Sequence, residues 1–317
     1  MVRRFLQLAK AFFSDVVLRG IYKPLYKHSH PRSHRHNRRY WPHYQVARSP
    51  QGELETIHFK KRLVVDNTRL EYGHNKTCML VATGPSVKEV DKRLLQRSDI
   101  DYVGVNGAIA LDEVSFSYYV IIDFNFTRNR FDLVKKILAS RCTLFTIPRC
   151  LDLMLRRVPA AEIRCDIKVV ELICEGEVER FFGPRVRVDT SREHFHLYRS
   201  FGFSSRIFDA VFDYFTVTYV ALQIVGALQY KTIYIAGLDM NNFSHPRFYE
   251  NAQNKQRTML DHYSTVILPA FDAAARYFEK ENIRVYNLSV HSAVEAFEKR
   301  PPSLDCLSDV HALSSES

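Results

Sequence analysis

The chain has 317 residues, of which 46% are hydrophobic, and it carries a formal net charge of +10 at pH 7. This composition predicts a globular protein of one large or two small domains and excludes a disordered chain, and no apolar run approaches the roughly 18 residues of a membrane-spanning helix. The six cysteines include no C-x-x-C pair, so a zinc or redox site is not indicated and reduced thiols of a cytoplasmic protein are expected.

The positive charge is concentrated at the N-terminus, where the first fifty residues contain eleven Lys or Arg side chains and a single acid, Asp15. Apolar residues recur at three- and four-residue steps over residues 1–22, which predicts an amphipathic helix. Such a helix either packs on the domain with a solvated basic side or lies in the headgroup layer of an anionic membrane. We predict the second for residues 1–50. The His- and Arg-rich tract at residues 28–43 has no regular histidine spacing, so it is interpreted as a basic linker and not as a metal site.

From residue 77 the pattern alternates between short apolar strands and helices. Strands are predicted at residues 78–82, 102–105, 118–122, 142–147, 232–236 and 284–287, and helices at 87–96, 131–139, 217–228 and 266–281. Nearly continuous apolar strands separated by helices predict an α/β fold with a mostly parallel twisted sheet covered on both faces. We expect one domain over residues 75–298, a possible lid insertion within 150–213, and a flexible tail over 299–317.

Small or hydrogen-bonding residues follow five of the predicted strands. Because ligands of open α/β sheets bind beyond the carboxyl ends of the strands, these residues are expected on one rim. Each also has an ordinary explanation as a cap or a turn. The strand ends are Thr83-Gly84-Pro85-Ser86, Asn106-Gly107, Asp123-Phe124-Asn125, Gly237-Leu238-Asp239 and Asn287-Leu288-Ser289.

The turn at Gly84 leads into the predicted helix 87–96, and free N–H groups at a helix N-terminus can hold a phosphate. The chain has neither a G-x-x-x-x-G-K-[ST] loop nor a G-x-G-x-x-G motif, which argues against an ATPase and a typical dinucleotide enzyme. No clear D-x-D pair is present either. Protein donors would suffice for a nucleoside monophosphate leaving group, so no metal is expected.

Two groups of motifs resemble known transferases. GPSVKEVD (84–91), VNG (105–107) and YKTIYIAGLDM (230–240) resemble the bacterial sialyltransferases that use CMP-sialic acid. The run from Gly202 to Met240, followed by SHPRFYE (244–250) and IRVYNLS (283–289), resembles more closely the WaaZ/RfaZ-type transferases that add Kdo (3-deoxy-octulosonate) to the lipopolysaccharide core. The likeness covers residues 78–288 and is strongest after Gly202.

This resemblance implies a glycosyltransferase with a Rossmann-like, GT-A-type domain that moves Kdo from CMP-Kdo by an inverting displacement, with no cofactor and no metal. In the sialyltransferases two Asn side chains contact the nucleotide. Asn106 matches the second, whereas Thr83 stands at the first. Thr216 matches a phosphate-contacting Thr, and Thr218 departs from the pattern. The predicted donor-binding residues are Thr83, Gly84, Ser86, Asn106, Asp123, Asn125, Thr216, Gly237, Arg247, Tyr249 and Glu250.

The resemblance also implies a catalytic histidine between the G-[IL]-D strand and the last strand, where His245 and His262 both fall. A neutral imidazole can accept the proton of an acceptor hydroxyl near pH 7. Asp239 is the alternative base. Arg247 is expected to pair with the carboxylate or the phosphate of the donor.

The expected acceptor is Kdo–lipid A, on the cytoplasmic face of the inner membrane, where the basic N-terminus would hold the enzyme. Two other functions stay open: a CMP-sialic acid-dependent sialyltransferase of lipooligosaccharide, and a basic non-enzymatic protein that binds nucleic acid or membrane. Nucleic acid is not the partner we expect.

Overall fold

The computed structural model describes residues 20–241 and 243–307. The predicted N-terminal helix over residues 1–22 therefore lies almost entirely outside the described part, which includes a helix over residues 20–29, here α1. Within the described residues, no helix is long and apolar enough to cross a bilayer.

An eight-stranded sheet forms the centre of the protein, and every neighbouring pair of its strands is parallel. The predicted α/β fold class is confirmed. The strands are β4 (Thr77–Val81), β5 (Asp101–Val105), β6 (Phe116–Ile121), β7 (Thr143–Thr146), β8 (Asp166–Val169), β15 (Thr232–Ala236), β16 (Arg284–Asn287) and β17 (Glu298–Lys299). Their order across the sheet is β17-β16-β15-β4-β5-β6-β7-β8.

The direction in which the chain adds strands to the sheet reverses between β4 and β15. The chain adds β5 to β8 on one side of β4, and then returns to place β15, β16 and β17 on the other side. At such a point the loops after the two central strands diverge and leave a crevice at their carboxyl ends. The order of the strands in the sheet thus indicates one position at which a ligand can bind.

Side chains of the central strands alternate between two hydrophobic cores, one on each face of the sheet. In β4, Met79 and Val81 enter the first core, and Cys78 and Leu80 enter the second. Each core is closed by helices because both faces of a parallel sheet must be buried. The first is covered by α2 (Phe124–Asn129), α3 (Phe131–Ala139) and α4 (Pro148–Arg157), and the second by α5 (Val217–Ala227) and α6 (Ser264–Lys280).

Three small sheets surround the main one. An N-terminal meander, β1 (Tyr44–Arg48), β2 (Leu54–Phe59) and β3 (Arg62–Asp66), contacts the β8 edge. Buried Glu171 joins this meander to the later chain through ion pairs with Arg48 and Arg180. The other two sheets contain β9 (Leu172–Cys174), β10 (Glu177–Glu179), β11 (Arg185–Arg187) and β14 (Val211–Phe212), and β12 (Phe195–Tyr198) with β13 (Phe201–Ser204).

Two predictions of local structure are wrong. Residues 87–96 form no α-helix but two 3-10 turns, Pro85–Glu89 and Leu94–Gln96. Asp91 interrupts the helical pattern, because its side chain accepts the Arg93 N–H and its own N–H donates to the Pro302 carbonyl. The first part of the predicted tail also packs against the domain, since β17 joins the sheet and Cys306 is buried.

Candidate active site

A cleft of about 330 Å³ lies at the reversal point, beyond the carboxyl ends of β4, β5, β6 and β15. Its volume is at the lower end of the range for small-molecule sites. The structure brings twelve of the fourteen predicted site residues to its lining. They are Thr83, Gly84, Asn106, Asp123, Asn125, Thr216, Gly237, Asp239, His245, Arg247, Tyr249 and Glu250.

The floor of the cleft depends on the close approach of the turns after β4 and β15. The Gly84 N–H donates to the Gly237 carbonyl at 3.0 Å. Gly237 has φ +76, which disfavours any residue with a Cβ, and a Cβ on Gly84 would lie 2.6 Å from the Gly237 oxygen. The Gly84 N–H is therefore already bonded, and no α-helix follows it, so phosphate binding at this turn stays a prediction.

Asp239 holds the first turn in place. Its carboxylate accepts hydrogen bonds from the Ser86 N–H, at 3.1 Å, and from the Ser86 hydroxyl. The same hydroxyl lies 2.7 Å from the Ser289 Oγ. Ser86 is therefore a supporting residue that does not line the cleft, and both carboxylate oxygens of Asp239 are engaged in this contact.

Asn106 combines two unusual features at the end of β5. Its φ of +44 lies in the left-handed region, and its carbonyl accepts the Tyr119 hydroxyl proton at 2.8 Å. The side-chain Oδ1 is buried without a hydrogen-bond partner. Backbone strain and unpartnered buried acceptors are both unfavourable, and they concentrate where a ligand completes the bonding.

The acid after β6 has a structural role. Asp123 caps α2 by accepting the N–H groups of Asn125 and Phe126 at 2.7 and 3.1 Å. The cap fixes the loop that carries Asn125 to the rim of the cleft.

The N-terminus of α5 supplies the free donors that the Gly84 turn lacks. Thr216 is the N-cap residue, but its side chain makes no capping hydrogen bond, and both Thr216 and Thr218 are buried residues of the lining. The Tyr219 N–H donates to the Thr216 carbonyl at 3.1 Å, whereas the N–H groups of Val217 and Thr218 make no hydrogen bond within the described residues. The helix dipole also makes this end positive. An anion in the cleft can therefore be held at α5.

Asp213 is a cleft residue that the sequence reasoning missed. Its Oδ1 is buried and unpartnered, so two of the four such atoms in the described part of the chain, on Asn106 and Asp213, belong to cleft residues. Burial raises the pKa of Asp213 from 3.8 to about 6, although the Phe215 N–H lowers it, and nearby Asp123 raises it further. Its position three residues before Thr216 was the available signal.

Residues 243–260 form the outer wall of the cleft, and a backbone hydrogen bond from Phe248 to Thr83 ties this wall to the floor. The wall lies in a long connection between β15 and α6. Connections of this length without regular structure are uncommon and are usually functional. Of the predicted lid insertion, residues 150–213, Asp213 is the one that lines the cleft, so a lid role for that segment stays a prediction.

The wall presents a cation whose orientation is set within the protein. The Arg247 Nη1 donates a hydrogen bond to the carboxylate of buried Glu250 at 2.9 Å, and the backbone N–H of Arg247 donates to the same carboxylate at 3.1 Å. The other guanidinium nitrogens of Arg247 make no hydrogen bond within the described residues. Tyr249 packs 5.4 Å from the Arg130 guanidinium, and burial raises its pKa to about 12, so its hydroxyl stays protonated.

The two candidate histidines occupy different places. His245 is an exposed residue of the cleft lining, whereas His262 is exposed and lies outside it. The wall also carries Lys255 and Arg257, which the sequence reasoning did not select. Lys255 donates to the carbonyls of Phe243 and Ser244 and so shapes the wall. Arg257 is exposed and has no ion pair within the described residues.

No group of three or more His, Cys, Asp or Glu side chains in the described ranges is placed to hold a metal ion. That the reaction needs no metal stays a prediction.

No protein-family model and no curated protein sequence matches the chain. Solved structures do match it. The sialyltransferase CstII from Campylobacter jejuni, solved with the substrate analogue CMP-3FNeuAc, has 15% identity and a TM-score of 0.39 over 70% of this chain and 85% of that chain. CstII with cytidine-5'-monophosphate has 15% identity and a TM-score of 0.42 over 73% and 87%. The α-2,3-sialyltransferase Cst-I from the same organism has 13% identity and a TM-score of 0.42 over 74% and 83%. Because these TM-scores are below 0.5, function is inferred from the residues of the cleft.

Proposed function

We propose that the chain is a glycosyltransferase that binds a CMP-activated sugar acid in the cleft. One observation carries the proposal. Two unpaired N–H groups at the start of α5 and two buried, unpartnered oxygens, on Asn106 and Asp213, meet in one cleft at the reversal point of a parallel sheet. These groups match the parts of a nucleotide-activated sugar, namely a phosphate, hydrogen-bond donors on base or ribose, and an acceptor hydroxyl that must lose a proton.

The nucleotide would lie between β5 and α5. The phosphate takes the N–H groups and the Thr216 and Thr218 hydroxyls at the start of α5. Asn106 Oδ1 accepts a hydrogen bond from a ribose hydroxyl or from the exocyclic amine of the base. The choice of cytidine, and of a monophosphate leaving group, rests on the sequence resemblance.

Arg247 suits the carboxylate of the sugar acid. Its pairing with Glu250 fixes one edge of the guanidinium and leaves nitrogens for a second carboxylate. A guanidinium held in this way binds a planar anion with defined geometry.

Asp213 is the proton acceptor that we propose in place of the histidines. Transfer forms a bond between the acceptor oxygen and the anomeric carbon, breaks the bond from that carbon to the phosphate oxygen, and releases CMP. The hydroxyl proton then needs a base. A partly buried carboxylate with a pKa of about 6 is deprotonated at neutral pH and still basic enough to take it. Asp239 is less suited, because Ser86 already engages both of its oxygens.

Kdo is the donor sugar that the sequence motifs favour, and sialic acid is the alternative. The proposed acceptor is Kdo–lipid A at the cytoplasmic face of the membrane. Incubation with CMP-Kdo or CMP-sialic acid and Kdo–lipid A, followed by mass spectrometry of the lipid, distinguishes the donors. Absence of product with both would reject the transferase.

Nucleotide binding can be tested with a matched pair of substitutions. Asn106→Gly removes the unpartnered oxygen and suits the φ of +44, while Asn282→Gly makes the same change at φ +55 on the exposed surface away from the cleft. Loss of one hydrogen bond should weaken CMP binding about tenfold in calorimetry for Asn106→Gly, with no change for Asn282→Gly. Equal CMP affinity in both variants would contradict the assignment of Asn106.

A further inference from the structure

The hairpin between β2 and β3 turns through two lysines. Phe59 pairs with Arg62, so the loop consists of Lys60 and Lys61 alone. Their φ values are +50 and +67, as a two-residue type I′ turn requires. This turn strongly prefers Asn-Gly, because a Cβ is unfavourable in the left-handed region. The chain therefore keeps two lysines at positions where they are poorly suited to the backbone.

The tip of this hairpin is both basic and apolar. Lys60, Lys61 and Arg62 are exposed, and they form no ion pair within the described residues. The next residue, Leu63, is 47% exposed. The Lys60 ammonium lies 5.3 Å from the centre of the Phe59 ring, so part of its role is within the hairpin. Strained backbone is concentrated at functional sites, and the exposed charges of the tip therefore point to a function.

The hairpin tip lies beside α1. The Lys60 N–H donates to the His43 carbonyl at 2.8 Å, and the His43 ring lies 6.3 Å from Phe59 and 6.1 Å from Tyr22 of α1. Tyr22 also contacts Trp41, with ring centroids 5.4 Å apart. The aromatic contacts hold the helix and the hairpin on one side of the protein.

The outward part of α1 has the same character as the hairpin tip. Ile21 and Leu25, one helical turn apart, are 53% and 51% exposed. Lys23 and Lys27 are exposed next to them, and neither forms an ion pair within the described residues. Three of the large exposed apolar side chains of the described residues thus lie among basic ones.

We infer that α1 and the hairpin tip, residues 60–63, form one docking surface for an anionic lipid bilayer. Lys and Arg side chains there are attracted to the phosphates of the headgroups, and the aliphatic side chains enter the interfacial layer. A nucleic acid would match the positive charges but has no apolar layer that could bury the side chains of Ile21, Leu25 and Leu63. The inference does not rest on the proposed transferase activity, and it extends the membrane contact predicted for residues 1–50 to the hairpin tip at residues 60–63.

The test uses the full chain and a substitution that improves the turn while it removes the charge. Lys60→Asn/Lys61→Gly should raise the midpoint temperature of unfolding, because Asn-Gly fits a type I′ turn. It should also lower partition onto vesicles of phosphatidylcholine with phosphatidylglycerol, by about fivefold per lysine and about 25-fold together. The matched control, Lys135→Gln/Lys136→Gln, removes two exposed charges from α3 and should bind as the unsubstituted protein does.

Two further measurements decide between lipid and nucleic acid. Leu63→Ser should weaken binding to the anionic vesicles, whereas a surface for nucleic acid would keep its affinity for duplex DNA in this variant. Unaltered vesicle binding of Lys60→Asn/Lys61→Gly, equal losses in the α3 control, or no preference of the unsubstituted protein for anionic over pure phosphatidylcholine vesicles would each overturn the inference. CMP binding, measured on the same samples, reports the cleft separately.

Discussion

We expect Asp213→Asn to make the protein more stable at neutral pH and at the same time less active. Burial holds the carboxyl at a pKa of about 6 in the folded state, against 3.8 ordinarily. Because the folded-state pKa is the higher one, the stability that this group contributes is fully present below about pH 4 and is lost as the pH rises through about 6. Each pKa unit corresponds to about 1.4 kcal/mol, so the charged carboxylate destabilises the fold by up to about 3 kcal/mol at neutral pH.

The asparagine side chain has nearly the same shape and no charge. We therefore expect Asp213→Asn to raise the free energy of unfolding by up to about 3 kcal/mol near pH 7.5 and to change it little near pH 4. Urea denaturation at several pH values measures this difference, and Asp261→Asn is the control, because Asp261 is exposed and outside the cleft.

Activity should change in the opposite direction. Loss of a general base lowers the rate about 10²- to 10⁴-fold, whereas CMP affinity should be retained. In the unsubstituted protein kcat/KM should rise with pH through about 6 and then level off, because only the deprotonated form accepts a proton. A stability difference that does not depend on pH would refute the burial argument, and full activity of Asp213→Asn would refute its role as base.

Two further predictions concern the wall and the floor of the cleft. Arg247→Ala should abolish transfer and leave the protein folded. The double variant Arg247→Ala/Glu250→Gln should be more stable to denaturation than the single variant, but it should still not catalyse transfer. Transfer by either variant would contradict the contact between Arg247 and the sugar carboxylate. Gly237→Ala should destabilise the protein by more than the about 1–2 kcal/mol expected for its φ alone, since a Cβ there meets Val87. Gly176→Ala is the control at φ +77 in open space, and equal losses in the two variants would show that the contact is unimportant.

Parallel strands explain why much of the cleft was predictable. Their carboxyl ends meet at one edge, so Asn106, Asp123 and Gly237 were expected together before any contact was known. Gly84 and Asp239 also reach the cleft, but the Gly237 carbonyl and Ser86 already engage their hydrogen-bonding groups, so their roles in binding stay predictions.

The sequence by itself determined the class of the fold and the edge of the sheet at which the cleft lies, because apolar periodicity and the residues after each strand are local properties. Tertiary structure decided which polar groups stay free. It left N–H groups unpaired at the N-terminus of α5, where we propose the phosphate to bind, and burial by distant parts of the chain gave Asp213 its raised pKa. Hydrogen-bond partners and desolvation depend on residues far apart in the chain, so no local pattern contains them.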